Sequence, residues 1–210
     1  MMKKIVLLLL LIVMSGCMCI TVSAKSQNVT KKYKSSVTKM LRPFDLYLGY
    51  DIAYGYTSKK FVFNDYAKTS MIIYADHIHH SIFPLSVDAA RKKYTSKLKL
   101  YFGNNTKFKV RKFKGYYPSY MKLEYLYQSD QGNIQYYGGD YSEYDTPKGT
   151  VTQVTKTSKN CYTANYKIYL TNDYYGTPKE YRGTYKIYLK KAKNKFGFII
   201  TNIKRTHVAR

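Results

Sequence analysis

Cysteine is scarce in this chain, and its placement excludes a scaffold held by disulfides. Cys17 and Cys19 lie in the apolar N-terminal stretch, and only Cys161 lies beyond it. If the chain is cut after Ala24, Cys161 is left without a partner; if Cys17 is kept, Cys19 stays with it. No even set of cysteines is spread along the sequence, so stability must come from a packed core. About 186 residues rich in Tyr, Ile and Leu are enough to build one domain around such a core.

Long apolar runs are also missing after the N-terminus. Ile5 to Met14 is the longest, shorter than the roughly 18 to 20 residues a spanning helix needs, which excludes a multispanning membrane protein. Preceded by "MMKK", that run reads as a secretory signal rather than as part of the fold. Two processing sites compete. "VSA" before Lys25 has the small residues of a signal-peptidase site, whereas "MSGC" at Met14 to Cys17 resembles a bacterial lipobox, which implies lipidation of Cys17. The resulting organisation is a signal peptide over 1–24 (or 1–16 with lipidated Cys17), a basic tether over 25–36, and one α+β domain over 37–210. Both sites predict a domain outside the cytoplasm, secreted or lipid-anchored at the cell surface.

Acids are few. Twelve Asp and Glu face 36 Lys and Arg, a net charge of +24. Removing 1–24 takes away Lys3 and Lys4 and no acid, leaving +22. That excess suits anionic surroundings such as membrane headgroups or cell-wall polymers, although a lysine-rich surface also serves solubility alone. No nucleic-acid recognition motif is present, so nucleic acid is not an expected partner. The oligomeric state is left open.

Catalytic signatures are absent as well. There is no GxSxG, no Gly-rich phosphate loop, no dinucleotide fingerprint and no HExxH, and Cys161 lacks a cysteine-protease context, so neither a catalytic residue nor a cofactor is assigned. Two polar clusters stand out. In "DHIHH", Asp76 and His80 are one helical turn apart and His77 is near His80, a spacing that would permit a metal. On a helical wheel centred on Ile78, however, Asp76, His79 and His80 point away from the core, which predicts an exposed polar face and no metal site. "GGDYSEYD" gathers Asp140, Glu143 and Asp145 without the spacing of a calcium loop. It reads as a strand-end loop; the alternative is a small hydrolase or isomerase with a pocket between sheet and helices, using Asp140 or Glu143 as base. His207, in the C-terminal tail, has no evident partner.

Periodicity orders the rest. "KSQNVTKKYKSS" (25–36) is too polar to offset the cost of ordering and predicts the tether. Val37, Met40, Leu41, Phe44 and Leu48 have helical spacing with a break at Pro43. Asn64 or Asp65 caps a second helix with Ala67, Met71, Tyr74, Ala75, Ile78 and Ile82 inward, stopped by Pro84. Ser86 caps a third, with Val87, Ala90, Tyr94, Leu98 and Tyr101 inward and Gly103 at its end. Its basic side carries Arg91, Lys92, Lys93, Lys97 and Lys99, which suits an anionic membrane or simply water.

Beyond Gly103 the period falls to two, and "KFKVRKF", "YMKLEYLYQ", "NIQYYGGDY", "VTQVTKTS", "CYTANYKIYLT", "TYKIYLKK" and "FGFIITNIKRT" predict strands of an antiparallel meander, with turns at "SDQGN" and "KAKNKFG". The predicted class is α+β, N-terminal helices packed on a curved antiparallel sheet. "YKIYL" occurs twice, at Tyr166–Leu170 and Tyr185–Leu189, and two copies are too few for a solenoid. They predict neighbouring strands with Tyr, Ile and Leu on one face and Lys167, Tyr169, Lys186 and Tyr188 on the other. Cations interleaved with rings suit sugars, anionic polymers or peptides, and equally suit an ordinary soluble sheet face.

"DAARKKYTSKLKLYFG" followed by the closing pair "GTYKIYLKKAKNKFGFIITNIKRT" resembles the nuclear-transport-factor-2-like, or cystatin-like, α+β superfold in its exported bacterial forms. The likeness is architectural and implies a fold; members include enzymes and non-enzymes, so it implies no activity. The function expected is a non-catalytic extracytoplasmic domain that binds a ligand or an anionic envelope polymer.

Overall fold

The structure, a computed structural model, describes residues 26–53, 61–77, 85–113, 124–128, 133–137, 146–171 and 180–209. Cys17, both processing sites, His79, His80, Ile82, Pro84, Asp140, Glu143 and Asp145 lie outside them. Among the described residues no helix is long and apolar enough to cross a membrane.

The class is α+β. In chain order the elements are β1 (Gln27–Asn28), α1 (Thr30–Leu41), a 3₁₀ turn (Arg42–Phe44), α2 (Asp45–Ala53), α3 (Asp65–His77), β2 (Leu85–Ser86), α4 (Val87–Phe102), β3 (Arg111–Phe113), β4 (Glu124–Gln128), β5 (Asn133–Tyr137), β6 (Thr146–Ser158), β7 (Cys161–Thr171), β8 (Glu180–Lys191) and β9 (Phe198–Val208). The main sheet runs β1-β6-β7-β8-β9 and is antiparallel throughout. Extra residues interrupt the register in all three long pairings, and each such bulge bends its strand and increases its twist. A smaller sheet runs β2-β5-β4-β3, and in it β3 pairs parallel with β4, a departure from the all-antiparallel meander. β4 and β5 pair antiparallel, as "SDQGN" between them predicts.

The expected tether over 25–36 is overturned. Gln27 and Asn28 pair with Lys156 and Thr155, and α1 begins at Thr30. Thr30 bridges the two parts: its hydroxyl accepts from the backbone N–H of Val154 at 2.8 Å. Tyr33 then lies edge-on to Tyr162 and Phe198, at 5.5 and 5.2 Å between ring centres. Composition missed this because a few contacts of high value, one hydroxyl and one ring, order a segment that is polar on average.

The starts of α3 and α4 and the end of α4 follow the reasons the sequence suggests. The Asn64 side chain accepts from Ala67 N–H at 3.0 Å, and the Ser86 side chain from Ala89 N–H at 3.2 Å, satisfying orphan donors of the first turns of α3 and α4. Gly103 ends α4 at φ +90°, a conformation costly for a residue with a Cβ. Pro43 breaks the first helical run into α1, the 3₁₀ turn and α2 instead of ending it, since its missing N–H falls at the start of the turn. The buried set draws on both layers: Val37, Met40, Leu41, Phe44 and Leu48 from the first helices, Met71 and Ile73 from α3, Ala90, Tyr94 and Leu98 from α4, and Tyr166, Ile168, Tyr185 and Ile187 from the sheet.

Candidate functional site

The two "YKIYL" copies are neighbours, with Tyr166 directly opposite Tyr185. Burial alternates along both strands, so Tyr166, Ile168, Leu170, Tyr185, Ile187 and Leu189 face the helices. Lys167, Tyr169, Lys186 and Tyr188 face the other way and are partly exposed. The described helices pack on the first face and leave the second open.

Register shows what shares that outer face. Lys186 lies opposite Asn165 on one side and Lys204 on the other; Lys167 lies opposite Thr150 and Thr184; Tyr169 lies opposite Lys148 and Tyr181. Tyr188 serves two cations at once, with Lys186 Nζ 5.8 Å and Lys204 Nζ 5.5 Å from its ring centre. Lys167 Nζ stands 5.5 Å from the ring of Tyr181, which is 5.7 Å from Tyr169 and stacks on His207 at 5.8 Å with 7° between planes. The Tyr181 hydroxyl is held by Thr184 Oγ1 at 2.7 Å. His207, which the sequence leaves without a partner, is thus part of an aromatic row.

The charge carried by the strands of this sheet is one-sided. Across β6 to β9 there is a single acid, Glu180, against nine Lys and Arg, and Glu180 is paired with Arg182 at 2.7 Å. Among the described residues no carboxylate pairs with Lys167, Lys186 or Lys204. Like charges directly opposite across a ladder destabilise a sheet, so Lys186 facing Lys204 is a local cost that packing does not explain.

The other face carries residues that sequence reasoning missed. Tyr166 donates to Asp45 and Tyr185 donates to Asp51, and these two acids come from one helix, α2. Tyr185 also reaches the Leu48 carbonyl at 2.9 Å, and Arg205 donates to the Asp51 backbone carbonyl and carboxylate at 3.1 and 3.2 Å. Burial pushes both carboxyls above their usual range, only partly opposed at Asp45 by Tyr166, the Gly149 N–H and Arg42, and at Asp51 by Tyr185 and Arg205. Burial and the adjacent carboxylates push both phenols up, so they stay protonated donors. A helix with acids six residues apart facing two tyrosines of one repeat is a signal available in sequence, but only once the strands are known to be neighbours. Buried acid–phenol pairs of this kind anchor the helix to the sheet.

No protein-family model, curated protein or solved structure matches this chain. The functional reading therefore rests on its own residues.

Asp76 and part of the basic side of α4 are engaged within the fold. Asp76, expected on an exposed face, is instead tucked against α4, its side chain 10% exposed. It accepts from Lys93 at 2.8 Å, from Lys97, and from the Tyr94 hydroxyl at 3.0 Å. Arg91 is likewise engaged, at 2.7 Å from Asp88, so of the basic side of α4 only Lys92 and Lys99 are exposed without an ion pair among the described residues. No cluster of three metal-ligating side chains occurs among the described residues. Cys161 is a free thiol, exposed at the start of β7.

Proposed function

We propose that this protein works outside the cytoplasm, at or released from the cell surface, as a non-catalytic domain whose outer sheet face binds an anionic envelope polymer. The observation that carries the reading is the Lys186–Lys204 pair, opposed across the β8–β9 ladder, sharing one tyrosine ring and unpaired with any described carboxylate. Such a pair gains most when a ligand phosphate or carboxylate sits between the two ammonium groups. The row Tyr169, Tyr181 and His207 adds flat ring surface beside those cations, suited to stacking against sugar rings of the same polymer. The N-terminal signal sequence supports the location, and the net charge supports the sign of the partner.

The test is co-sedimentation of the purified protein with isolated bacterial cell wall at low and high salt. Binding at about 50 mM salt that is lost at about 500 mM is expected, since exposed charges are screened over that range. The triple variant Lys167→Gln, Lys186→Gln, Lys204→Gln should bind roughly tenfold more weakly, while Lys92→Gln with Lys99→Gln on α4 leaves binding unchanged. Equal loss in both variants would reduce the effect to overall charge and overturn the assignment to this face.

A further inference from the structure

A recess lies on the helical side, a cleft of about 410 Å³ between the end of α1, the 3₁₀ turn, α3, α4 and the β8–β9 turn. We infer that it binds a small amphipathic anion, an apolar body carrying one phosphate or carboxylate head. Its volume falls within the range of small-molecule sites.

The apolar part is preformed. Phe44 and Ile72 are buried, and Ala75, Leu100 and Tyr101 complete the lining. Phe44 and Tyr101 lock edge-on at 5.0 Å, and Tyr101 meets Phe196 at 5.0 Å, so little side-chain freedom remains to be lost on binding. The short side chain of Ala75 on α3 leaves space that a larger residue would fill.

The rim supplies the charge. Lys39, Arg42 and Lys195 stand at the cleft, all exposed and none within ion-pair distance of a described carboxylate. The cleft's one acid, Asp76, already has three donors and so offers little attraction to a cationic ligand. Lys195 is carried on a turn fixed by Asn194, whose Nδ2 donates to the Leu100 and Phe198 carbonyls at 2.9 and 2.8 Å. A planar guanidinium at Arg42 adds two-pronged recognition of a phosphate or carboxylate.

The experiment is calorimetric titration of the purified protein with octyl phosphate, with octanol and inorganic phosphate as separate arms. One saturating site for octyl phosphate is expected, roughly tenfold or more tighter than for either fragment, because both parts of the cleft contribute. Ala75→Leu should abolish it, and Arg42→Gln with Lys195→Gln should weaken it roughly tenfold. Octanol binding as tightly as octyl phosphate would overturn the anion assignment; inorganic phosphate doing so would mean a free-anion site. An Ala75→Leu protein with unchanged circular dichroism and unchanged binding would place the ligand elsewhere. Should Ala75→Leu fail to fold, the exposed double variant decides alone: undiminished binding refutes the proposal.

Discussion

Replacing Asp76 with Asn removes one carboxylate held between α3 and α4 by Lys93, Lys97 and Tyr94. Burial alone would raise this carboxyl, but the hydrogen bonds from Lys93, Lys97 and Tyr94 outweigh it and bring the group from its usual 3.8 to about 2. At 1.36 kcal/mol for each pH unit the full difference is about 2 kcal/mol. The two lysines are 32% and 43% exposed, so water screens the interaction and about 1 kcal/mol is the better expectation. Because the folded value lies below the unfolded one, the contribution is complete above the unfolded value and is lost as pH falls toward about 2. Urea unfolding followed by circular dichroism should show Asp76→Asn less stable than wild type by about 1 kcal/mol at pH 7, with the gap closing between about pH 4 and pH 2. An equal gap at pH 7 and pH 2 would mean that shape rather than charge is at stake; no gap at pH 7 would remove the ion-pair account altogether.

Three further outcomes are expected. Tyr185→Phe loses a donor to both Asp51 and the Leu48 carbonyl in a buried setting and should cost about 2 to 3 kcal/mol in urea unfolding, against less than about 1 for Tyr181→Phe on the outer face. Asp45 has its folded value raised, so its contribution is complete below the unfolded carboxylate value and is lost as pH rises through the folded one. Wild type should therefore lose stability relative to Asp45→Asn as pH rises above the unfolded carboxylate value, and the opposite slope would contradict burial as the dominant cause. Gly149→Ala would drive a methyl into the Tyr166 ring, an overpacking worth about 1 to 3 kcal/mol, visible as a lowered urea midpoint.

What could be read from sequence followed local chemistry. Ser86 and Gly103 mark α4 because a cap hydroxyl and a left-handed residue act within one turn, and the period-two run of "YKIYL" fixes which side chains share a face because pleat geometry is local, while which face is open to water follows only from where the helices pack. The outer four, Lys167, Tyr169, Lys186 and Tyr188, are grouped on one face by that rule alone. Lys204, Tyr181 and His207 join them only through cross-strand register, which depends on bulges that no local pattern announces. Asp76 was misread because a wheel shows one helix by itself, and the residues that cover it, Lys93, Tyr94 and Lys97, belong to another. Arg42 and Lys195 are separated by most of the chain, and only folding brings them to one cleft.

The paired acids of α2 have a bearing on how β7 and β8 are told apart. Both strands carry the same five residues, so a backbone ladder and an apolar face accept either copy in either place. Asp51 does not, because its pocket also requires Arg205 from the strand beyond β8. Exchange of the two segments within a chain, with β9 carried along by its short turn to β8, would part that guanidinium from Asp51. The helix therefore acts as an address label, stabilising only the arrangement in which each copy occupies its own position.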